Sequence, residues 1–492
     1  MTKVDPVREE HHELRADGIS AAGSIVMAVA GSAPAYSITA STGILIAAAG
    51  LASPAALLWC GLPMLGIAWA FSYLGRADVN AGAAYSWVGR ALHPILGFFA
   101  GWALVVSATI FMVAGALPAG QATVALFSER AAGQTWLVTI VGAVWFLVMA
   151  AAVLFGVQVT ARAQWIMSTI EVGLLVVFGV LALVHATGGH NAGRSFDWSW
   201  LGFDHFGGIG GFVGAALIAA FYYWGWDVAS NLNEETKNGR KSAGRGGIIG
   251  VIIVFLLFEV FTISVQVILS PKAIANSDGN ILTLLGDAIW PGIGGKILII
   301  AVALSTIATL ETTLIQVTRS LFAMGRDHTI PLIFGRAHKK WRTPAFATLI
   351  ITGVSIILFV GSNFIGSIND ILTDAVSSIG IQIAFYYALA AIAVVVAYRK
   401  IVFKSVKNFI FIGLWPGIGG LFMVFVFCAA IPSLASTPIV IVIGFGAIAI
   451  GVIPLLLFWR KARGYYGRRP LELPDELITS QININSTDAH VE

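Results

Sequence analysis

The chain has 492 residues, of which 58% are hydrophobic and only 11% are charged, and its mean hydropathy is +0.86. An ordinary soluble domain carries about 25% charged residues, so this composition excludes a soluble protein of several domains. The apolar residues form runs, such as 248–269 and 439–459, of about the 20 residues that a helix needs to cross a bilayer. The sequence therefore predicts an all-α polytopic membrane protein.

Apolar periodicity, interrupted by polar and glycine-rich stretches, predicts twelve transmembrane helices. Several of them exceed one bilayer thickness, which predicts tilting or internal breaks. In chain order the predicted helices cover 19–49, 55–75, 95–127, 135–156, 163–185, 207–231, 246–269, 294–325, 344–361, 372–398, 409–431 and 439–459.

The distribution of positive charge orients these helices. With the N-terminus inside, 25 of the 29 lysines and arginines face the cytoplasm, and the outside has only Arg130, Arg194, Lys272 and Lys296. This asymmetry fits the positive-inside rule and predicts that both termini are cytoplasmic, in a plasma or inner cell membrane. It also accounts for the net charge of +4, so no nucleic-acid partner is predicted.

No cofactor, metal or enzymatic site is predicted from the sequence. Cys60 and Cys428 both fall inside predicted spans, without the pairing or spacing of a disulfide framework or a metal site. His185, His190 and His205 share one predicted external loop without metal-ligand spacing. The first residues lack the short apolar core of a removable signal peptide, so the first helix is expected to serve as the insertion signal.

Two predicted helices carry residues that break a helix at mid-membrane. Predicted helix 1 contains Gly31, Ser32, Ala33 and Pro34, and predicted helix 6 contains Gly225 next to a carboxylate. Proline removes a helix hydrogen bond and glycine tolerates unwound backbone. Either break alone fits a packing kink, but broken backbone inside a membrane must be buried in protein or line a cavity. Paired breaks five helices apart predict the binding site of an inverted-repeat transporter.

Three stretches resemble the amino acid–polyamine–organocation superfamily of permeases. Residues 80–102, NAGAAYSWVGRALHPILGFFAGW, resemble the family's "aGgaY…alg…GF.aGW". Residues 221–241, FYYWGWDVASNLNEETKNGRK, resemble "F.a..G.e….EE.knP.r". Residues 319–331, RSLFAMGRDHTIP, with WRTP at 341–344, resemble "R.l.amaRDg.lP…….rtP". The motifs follow one another in the family's order.

The resemblance implies a leucine-transporter-like inverted repeat of five plus five helices, with helices 1 and 6 broken around a midplane site. The implied organisation is an N-tail at 1–18, repeats at 19–186 and 207–398, helices 11 and 12 at 409–460, and a C-tail at 461–492. In relatives, amides of the helix 1 break hold the substrate carboxylate, which implies a site at Gly31, Ser32 and Ala33. Here Pro34 offers no N–H, which departs from the usual Gly-Ser-Gly form of strict α-amino-acid recognition.

Helix 6 supplies the other candidate substrate residues. Phe221 matches the family's aromatic gate, and the carbonyls of 221–224 are expected to face a substrate ammonium. Neighbouring aromatic rings can enclose an alkyl or cationic group or simply pack between helices. The candidate substrate residues beyond the first break are Phe221, Tyr222, Tyr223, Trp224, Gly225, Asp227 and, in helix 8, Thr313; Trp226 belongs to the same aromatic run.

Carboxylates inside predicted spans are candidate proton or ion sites, because a charge at the bilayer centre costs about 2.5–3.5 kcal/mol on insertion scales. Asp227, Glu171, Glu259 and Glu311 lie in such spans, and no lysine or arginine is predicted mid-membrane beside them. Glu171 matches a position where proton-coupled relatives carry a lysine, so that lysine mechanism cannot be carried over unchanged. Glu171 and Glu311 are the candidate coupling residues; the alternative for each is a protonated structural carboxyl.

These observations predict a proton-coupled importer of amino acids or related amines that works by alternating access, as a monomer or homodimer in the bilayer. An amino acid/amine antiporter remains open, as does a sodium symporter that uses hydroxyls such as Thr309, Thr312 and Thr313. A channel would need a continuous polar stripe, and a membrane enzyme would need a catalytic constellation; the sequence suggests neither.

Overall fold

A computed structural model describes residues 13–189, 194–277, 280–362, 364, 368–433, 437–468 and 470–473. Within these residues the secondary structure is helical, apart from one isolated bridge between Ile19 and Thr236. Most of the two predicted cytoplasmic tails, and the predicted external His190, lie outside the described residues.

Sixteen helices of the described residues are numbered here. They are α1 Ala21–Ser32, α2 Pro34–Ala49, α3 Ser53–Ala77, α4 Ala84–Ala91, α5 Pro94–Ala125, α6 Thr135–Phe155, α7 Val157–Thr187, α8 Ile209–Tyr222, α9 Val228–Asn231, α10 Gly239–Ile268, α11 Ile281–Ile289, α12 Gly294–Arg326, α13 Ala345–Ser362, α14 Ile368–Ala397, α15 Trp415–Ser433 and α16 Val452–Phe458. Further short helical segments include Pro438–Ile441, Ala447–Ile450 and Arg463–Tyr466.

Ten stretches among the described residues are long and apolar enough to cross a bilayer. The first, Ala21–Ala77, has 57 residues and would measure about 85 Å as one straight helix, so it must cross the hydrocarbon more than once. The apolar helix α8 is shorter, with 14 residues. The chain is thus a multi-pass membrane protein.

The centre and the periphery of the bundle differ in burial. In α12, 83% of the most apolar eighteen-residue stretch is buried, against 22% for the last apolar stretch, Pro438–Phe458. Helix α12 packs against α1, α5 and α7, whereas α15 packs on the outer side of α14 and α3. The centre of the protein therefore lies around α12, and polar residues of α12 can reach both helix breaks.

Among the described residues, two predicted spans are broken where the sequence predicts a break, and other helices differ from the prediction. The span predicted at 19–49 is split at Ala33, and the span at 207–231 is split between α8 and α9. The span at 439–459 is interrupted by a π-helical segment, Val442–Gly446. Helix α4, inside the first motif, was not predicted as a separate helix because its eight residues are too few to show a membrane-spanning run.

Candidate substrate site between two helix breaks

The two breaks pack against each other through backbone. A Cβ added at Gly31 would lie 2.1 Å from the carbonyl oxygen of Gly225, and a Cβ added at Gly225 would lie 2.2 Å from the carbonyl oxygen of Gly31. Gly225 also has φ +96°, a region that L side chains rarely adopt. Glycine is therefore required at both positions for this approach.

The first break is produced by Ala33 and Pro34. Ala33 has φ 45° and ψ 66°, and its N–H donates to the carbonyl of Val29, which closes α1. Pro34 then starts α2 at a position where the missing N–H removes no helix bond. The chain thus ends one helix and begins another within two residues, at the place where the sequence predicts a break.

The start of α2 is occupied by groups from the protein itself. The Ala35 N–H donates to Oε1 of Glu171 at 3.0 Å, and the Tyr36 N–H donates to Oγ of Ser305 at 3.1 Å. The Ser37 N–H donates to the carbonyl of Ala33. A carboxylate at a helix N-terminus is favoured by the free N–H groups and the helix dipole. Glu171, fully buried on α7, therefore takes the position of an anion.

The end of α1 is bound in the same way. The carbonyl of Gly31 accepts a hydrogen bond from Oγ1 of Thr309 at 3.1 Å, and the carbonyl of Ser32 accepts one from Oγ of Ser37 at 2.8 Å. Thr309 lies one turn after Ser305 on α12, so a single face of α12 holds both sides of the break.

Aromatic rings form a wall beside the breaks. Phe221 lies with its ring centroid 6.4 Å from that of Tyr36 and 6.1 Å from that of Phe111. Phe111 is in turn 5.7 Å from Tyr36 and 5.4 Å from Trp224. These four rings come from α2, α5 and the end of α8, and they are all buried.

Asp227 is fixed behind the second break. Its Oδ2 accepts a hydrogen bond from the Tyr386 hydroxyl at 2.9 Å, and that hydroxyl accepts one from Nε1 of Trp224 at 2.6 Å. Gln316 and Tyr387 also lie beside the carboxyl, which is fully buried. The aromatic wall therefore runs from the Glu171 end of the site to Asp227.

The structure separates the other aromatic candidates from this wall. The Tyr222 hydroxyl bonds to that of Thr42, and the Tyr223 hydroxyl donates to the carbonyl of Leu57 at 3.1 Å. Trp226 packs on Phe71, with ring centroids 5.1 Å apart. Consecutive residues leave a helix in different directions, so the run 221–226 does not form one pocket.

The remaining acidic candidates, Glu311 and Glu259, differ in their contacts. Glu311 accepts a hydrogen bond from Nε2 of Gln164, which also donates to the carbonyl of Ala308. Neither carboxyl oxygen of Glu259 has a hydrogen-bond partner among the described residues. Thr313 is buried on α12, one turn after Thr309. Glu171 is thus the candidate coupling carboxyl that contacts a helix break directly.

The motif residues meet at one end of the bundle. Arg319 donates to both carboxyl oxygens of Glu235, at 2.8 and 3.1 Å, and both side chains have no exposed surface. Glu234 pairs with Arg326 and accepts a hydrogen bond from the N–H of Ala81. Residues from all three motifs therefore close this end of the protein in one hydrogen-bonded layer.

The sequence does not point to several residues that lie at the site. Ser305, Tyr386 and Gln316 contact the breaks or Asp227, but none of them was singled out. The signal for Ser305 and Gln316 was their helical spacing with Thr309 and Thr312 on α12. Tyr386 had no such signal, because its role depends on where α14 packs.

Fold and site together define a multi-pass helical membrane protein with a polar site between two broken helices. The chain also matches, over residues 20–453, a family described as amino acid permease. The chain belongs to this family.

Curated relatives carry the names of transporters. The low-affinity putrescine importer PlaP of Escherichia coli (strain K12) is 25% identical over 68% of this chain and 71% of its own. The histidine permease HisP of Lactococcus lactis subsp. cremoris is 23% identical over 80% of this chain and 79% of its own. The methylthioribose transporter of Bacillus subtilis is 26% identical over 72% of this chain and 75% of its own.

Proposed function

We propose that the chain is a secondary active transporter that imports an amino acid or a related amine, coupled to protons, by alternating access. The observation that carries the proposal is the contact between the two helix breaks. Two buried carboxyl groups border the breaks: Glu171 accepts from the Ala35 N–H, and Asp227 accepts from the Tyr386 hydroxyl. Broken helices at membrane depth serve ligand or ion sites. The family match and the relatives' names, which include a putrescine importer and a histidine permease, support the same substrate range.

The proposed architecture is twelve spans in two inverted repeats of five, 19–186 and 207–398, followed by two peripheral helices. Support comes from the placement of the breaks in α1–α2 and α8–α9, and from the low burial of the last apolar stretch. The 25-to-4 division of positive charge supports cytoplasmic termini. Phe221, packed across Tyr36 and Phe111, is proposed as an outer aromatic gate.

Glu171 is the proposed proton carrier. It lies in a fully buried position and bonds to the backbone of the break, so a change in its charge would act directly on the segment that must move. A proton is proposed as the coupling ion because the group that contacts the break is a carboxyl, which can bind and release a proton.

The test is uptake of radiolabelled amines and amino acids into proteoliposomes that contain the purified protein. We expect saturable uptake driven by an inward pH gradient and unaffected by a sodium gradient. Glu171→Gln should abolish the response to the pH gradient, whereas Glu259→Gln, a buried carboxyl away from the breaks, should keep it. Uptake that never saturates would refute a carrier, and sodium-driven uptake would refute proton coupling.

A further inference from the structure

We infer that an apolar groove beside the end of α14 binds an anionic phospholipid, with an acyl chain in the groove and the phosphate on the adjacent basic side chains. The groove lies where α14 ends and the following helix begins, and none of the residues that line it belongs to the two breaks. The inference goes beyond the proposed transport function, and the two can fail separately.

The groove has two apolar walls. One wall is the end of α14 with the turn after it, from Val395 to Phe403. The other wall is the π-helical segment Phe409–Leu414, which α15 continues. The volume of the groove is about 320 Å³, and its lining residues are apolar except Arg399. This volume falls within the range of about 300–1,000 Å³ that ligand sites occupy, and the lining suits a hydrocarbon chain with one charged end.

Glycines leave the second wall open. Gly413 and Gly417 lie one helical turn apart, and Leu421 lines the groove a turn further on. A Cβ added at Gly417 would have no atom of the described residues within 4 Å. From Gly413 to Leu421 the helix rises about 12 Å, against about 15 Å for one leaflet of the hydrocarbon core. The groove therefore has the length of an acyl chain segment within one leaflet.

Large apolar side chains surround the end of the groove that Arg399 lines. Phe403 is 83% exposed and Val406 is 76% exposed. The ring of Phe403 lies 6.0 Å from that of Phe409, centroid to centroid. Apolar surface of this extent is favoured in contact with hydrocarbon rather than water. The end of the groove therefore belongs at the membrane boundary, where lipid headgroups begin.

Positive charge collects at the same end. Arg399, Lys400, Lys404 and Lys407 follow α14 within ten residues, and all four are exposed. The stretch 375–471 contains no acidic residue. Arg399, Lys400 and Lys407 form no ion pair with a described residue. The charge beside the groove is thus available to a phosphate.

Arginines of two other helices extend this charge. The Tyr398 hydroxyl donates to the carbonyl of Tyr73 at 2.7 Å, and the Arg76 guanidinium lies 4.8 Å from the centroid of the Tyr73 ring. Arg240 donates to the carbonyl of Arg76 at 2.7 Å. Basic residues of α3, α10 and the end of α14 therefore share one corner of the protein. Clusters of about four to eight basic residues beside a membrane helix are typical of anionic lipid binding.

The charge at the mouth selects the headgroup. With the proposed orientation this corner faces the cytoplasm, where the leaflet carries anionic lipids. A zwitterionic lipid of the same chain length could fill the groove, but its choline group would meet the basic side chains. The geometry therefore favours phosphatidylglycerol over phosphatidylcholine.

Lipid binding to the purified full-length protein in detergent tests the inference without a transport measurement. The probes are phosphatidylglycerol and phosphatidylcholine with identical dioleoyl chains, followed by native mass spectrometry and by melting temperature. We expect phosphatidylglycerol to bind more tightly by about tenfold or more and to raise the melting temperature. Equal binding of the two lipids would overturn the inference.

A filled groove tests the place of the acyl chain. Gly417→Leu puts a side chain into the open space and should weaken phosphatidylglycerol binding by about tenfold or more, with the melting temperature of the lipid-free protein unchanged. Gly173→Leu on α7 is the control, because a Cβ there also has no atom within 4 Å, and it should bind the lipid as wild type does. Wild-type binding by Gly417→Leu would show that the acyl chain lies elsewhere.

Paired charge variants test the headgroup contact. Arg399→Gln with Lys400→Gln should weaken phosphatidylglycerol binding by about tenfold or more and leave phosphatidylcholine binding unchanged. Lys339→Gln with Lys340→Gln removes two exposed charges from another predicted cytoplasmic loop and should change neither. Equal losses in the two double variants would mean that net charge, and not this corner, attracts the lipid.

Two further outcomes would overturn the inference. Displacement of phosphatidylglycerol by glycerol 3-phosphate would show a site for soluble anions instead of a lipid site. A dimer that binds no phosphatidylglycerol, and that Gly417→Leu dissociates, would show that a second copy of the chain covers the groove. Absence of saturable uptake by a protein that binds the lipid as expected would refute the proposed function alone.

Discussion

Gly31 and Gly225 belong to different helix breaks, 194 residues apart, and their backbones touch. Each α-carbon faces the other residue's carbonyl oxygen, so closely that a methyl group at either position would lie within 2.2 Å of it. A movement of one break therefore requires a movement of the other. In the proposed transport cycle, this contact couples the two broken helices.

Gly31→Ala and Gly225→Ala should each destabilise the protein and abolish uptake. Overpacking of this kind costs about 1–3 kcal/mol, and Gly225 has in addition a positive φ. Melting temperatures in detergent and proteoliposome uptake provide the measurements. Gly353→Ala is the control, because a Cβ there has no atom within 4 Å and should be neutral. Normal uptake by Gly31→Ala would show that the breaks need not approach so closely.

Tyr386→Phe should weaken substrate binding as well as stability. It removes the hydroxyl that donates to Asp227 and accepts from Trp224, and loss of a hydrogen bond to a charged group costs about 1.5–3 kcal/mol. The comparison is Tyr223→Phe, which loses a buried bond to the carbonyl of Leu57 outside the aromatic wall. We expect both variants to have a lower melting temperature. Only Tyr386→Phe should raise the KM for uptake. A raised KM in both variants would contradict the conclusion that Tyr386 lies at the substrate site and Tyr223 lies outside it.

Arg319→Met should be among the most destabilising single changes. It leaves the fully buried Glu235 carboxylate without its partner, and breaking a buried pair in this way costs about 3–5 kcal/mol. The double variant Arg319→Met with Glu235→Gln removes both charges and should recover part of the loss. Chemical denaturation in detergent measures both effects. If the double variant were less stable than Arg319→Met, an unpaired charge would not be the cause.

Arg468→Ala should reduce stability in a manner that depends on pH. Arg468 pairs with Asp327, which follows α12. Burial raises the pKa of the Asp327 carboxyl, while Arg468 opposes that rise. When the pKa of a carboxyl is higher in the folded state than in the unfolded state, protonation favours the folded state. The contribution of that carboxyl to stability therefore increases as pH falls. In Arg468→Ala the buried Asp327 carboxylate has no arginine partner. We expect this loss to lower the free energy of unfolding by about 1 kcal/mol.

The loss of melting temperature caused by Arg468→Ala should therefore shrink from about pH 7.5 to about pH 5. Arg463→Ala, which changes an exposed arginine of the same segment, is the control and should show no such trend. A loss that stays constant over this range would mean that Asp327 does not titrate in response to Arg468.

The C-terminal segment also contacts α4, close to the Arg468–Asp327 pair. The rings of Tyr85 and Tyr465 stack with centroids 4.8 Å apart, and the Tyr465 hydroxyl donates to the carbonyl of Tyr85. The backbone of Leu471 donates to the carbonyl of Arg90. The sequence predicts a C-terminal tail from residue 461 onward, whereas in the structure Tyr465 and Arg468 contact α4 and the end of α12.

Local sequence was sufficient to predict the membrane class and the first break. The apolar spans are runs of consecutive apolar residues, so they can be recognised from local sequence alone. The break at Ala33 was predictable because Pro34 cannot donate the backbone hydrogen bond that a continuous helix would need there, which is a property of a single residue. Gly31 lies inside α1, where it allows the close approach of Gly225. The resemblance motifs led to the permease family, which the match over residues 20–453 confirms.

Only the tertiary structure decided which polar groups meet. Glu171 reaches Ala35 across 136 residues, and Tyr386 reaches Asp227 across 159. The same packing turned Tyr222 and Tyr223 away from Phe221. Such contacts depend on the rotation of each helix about its axis and on its neighbours, which hydropathy does not encode. The sequence by itself determined where the chain could break, and packing determined that the protein's own carboxylate would occupy the break.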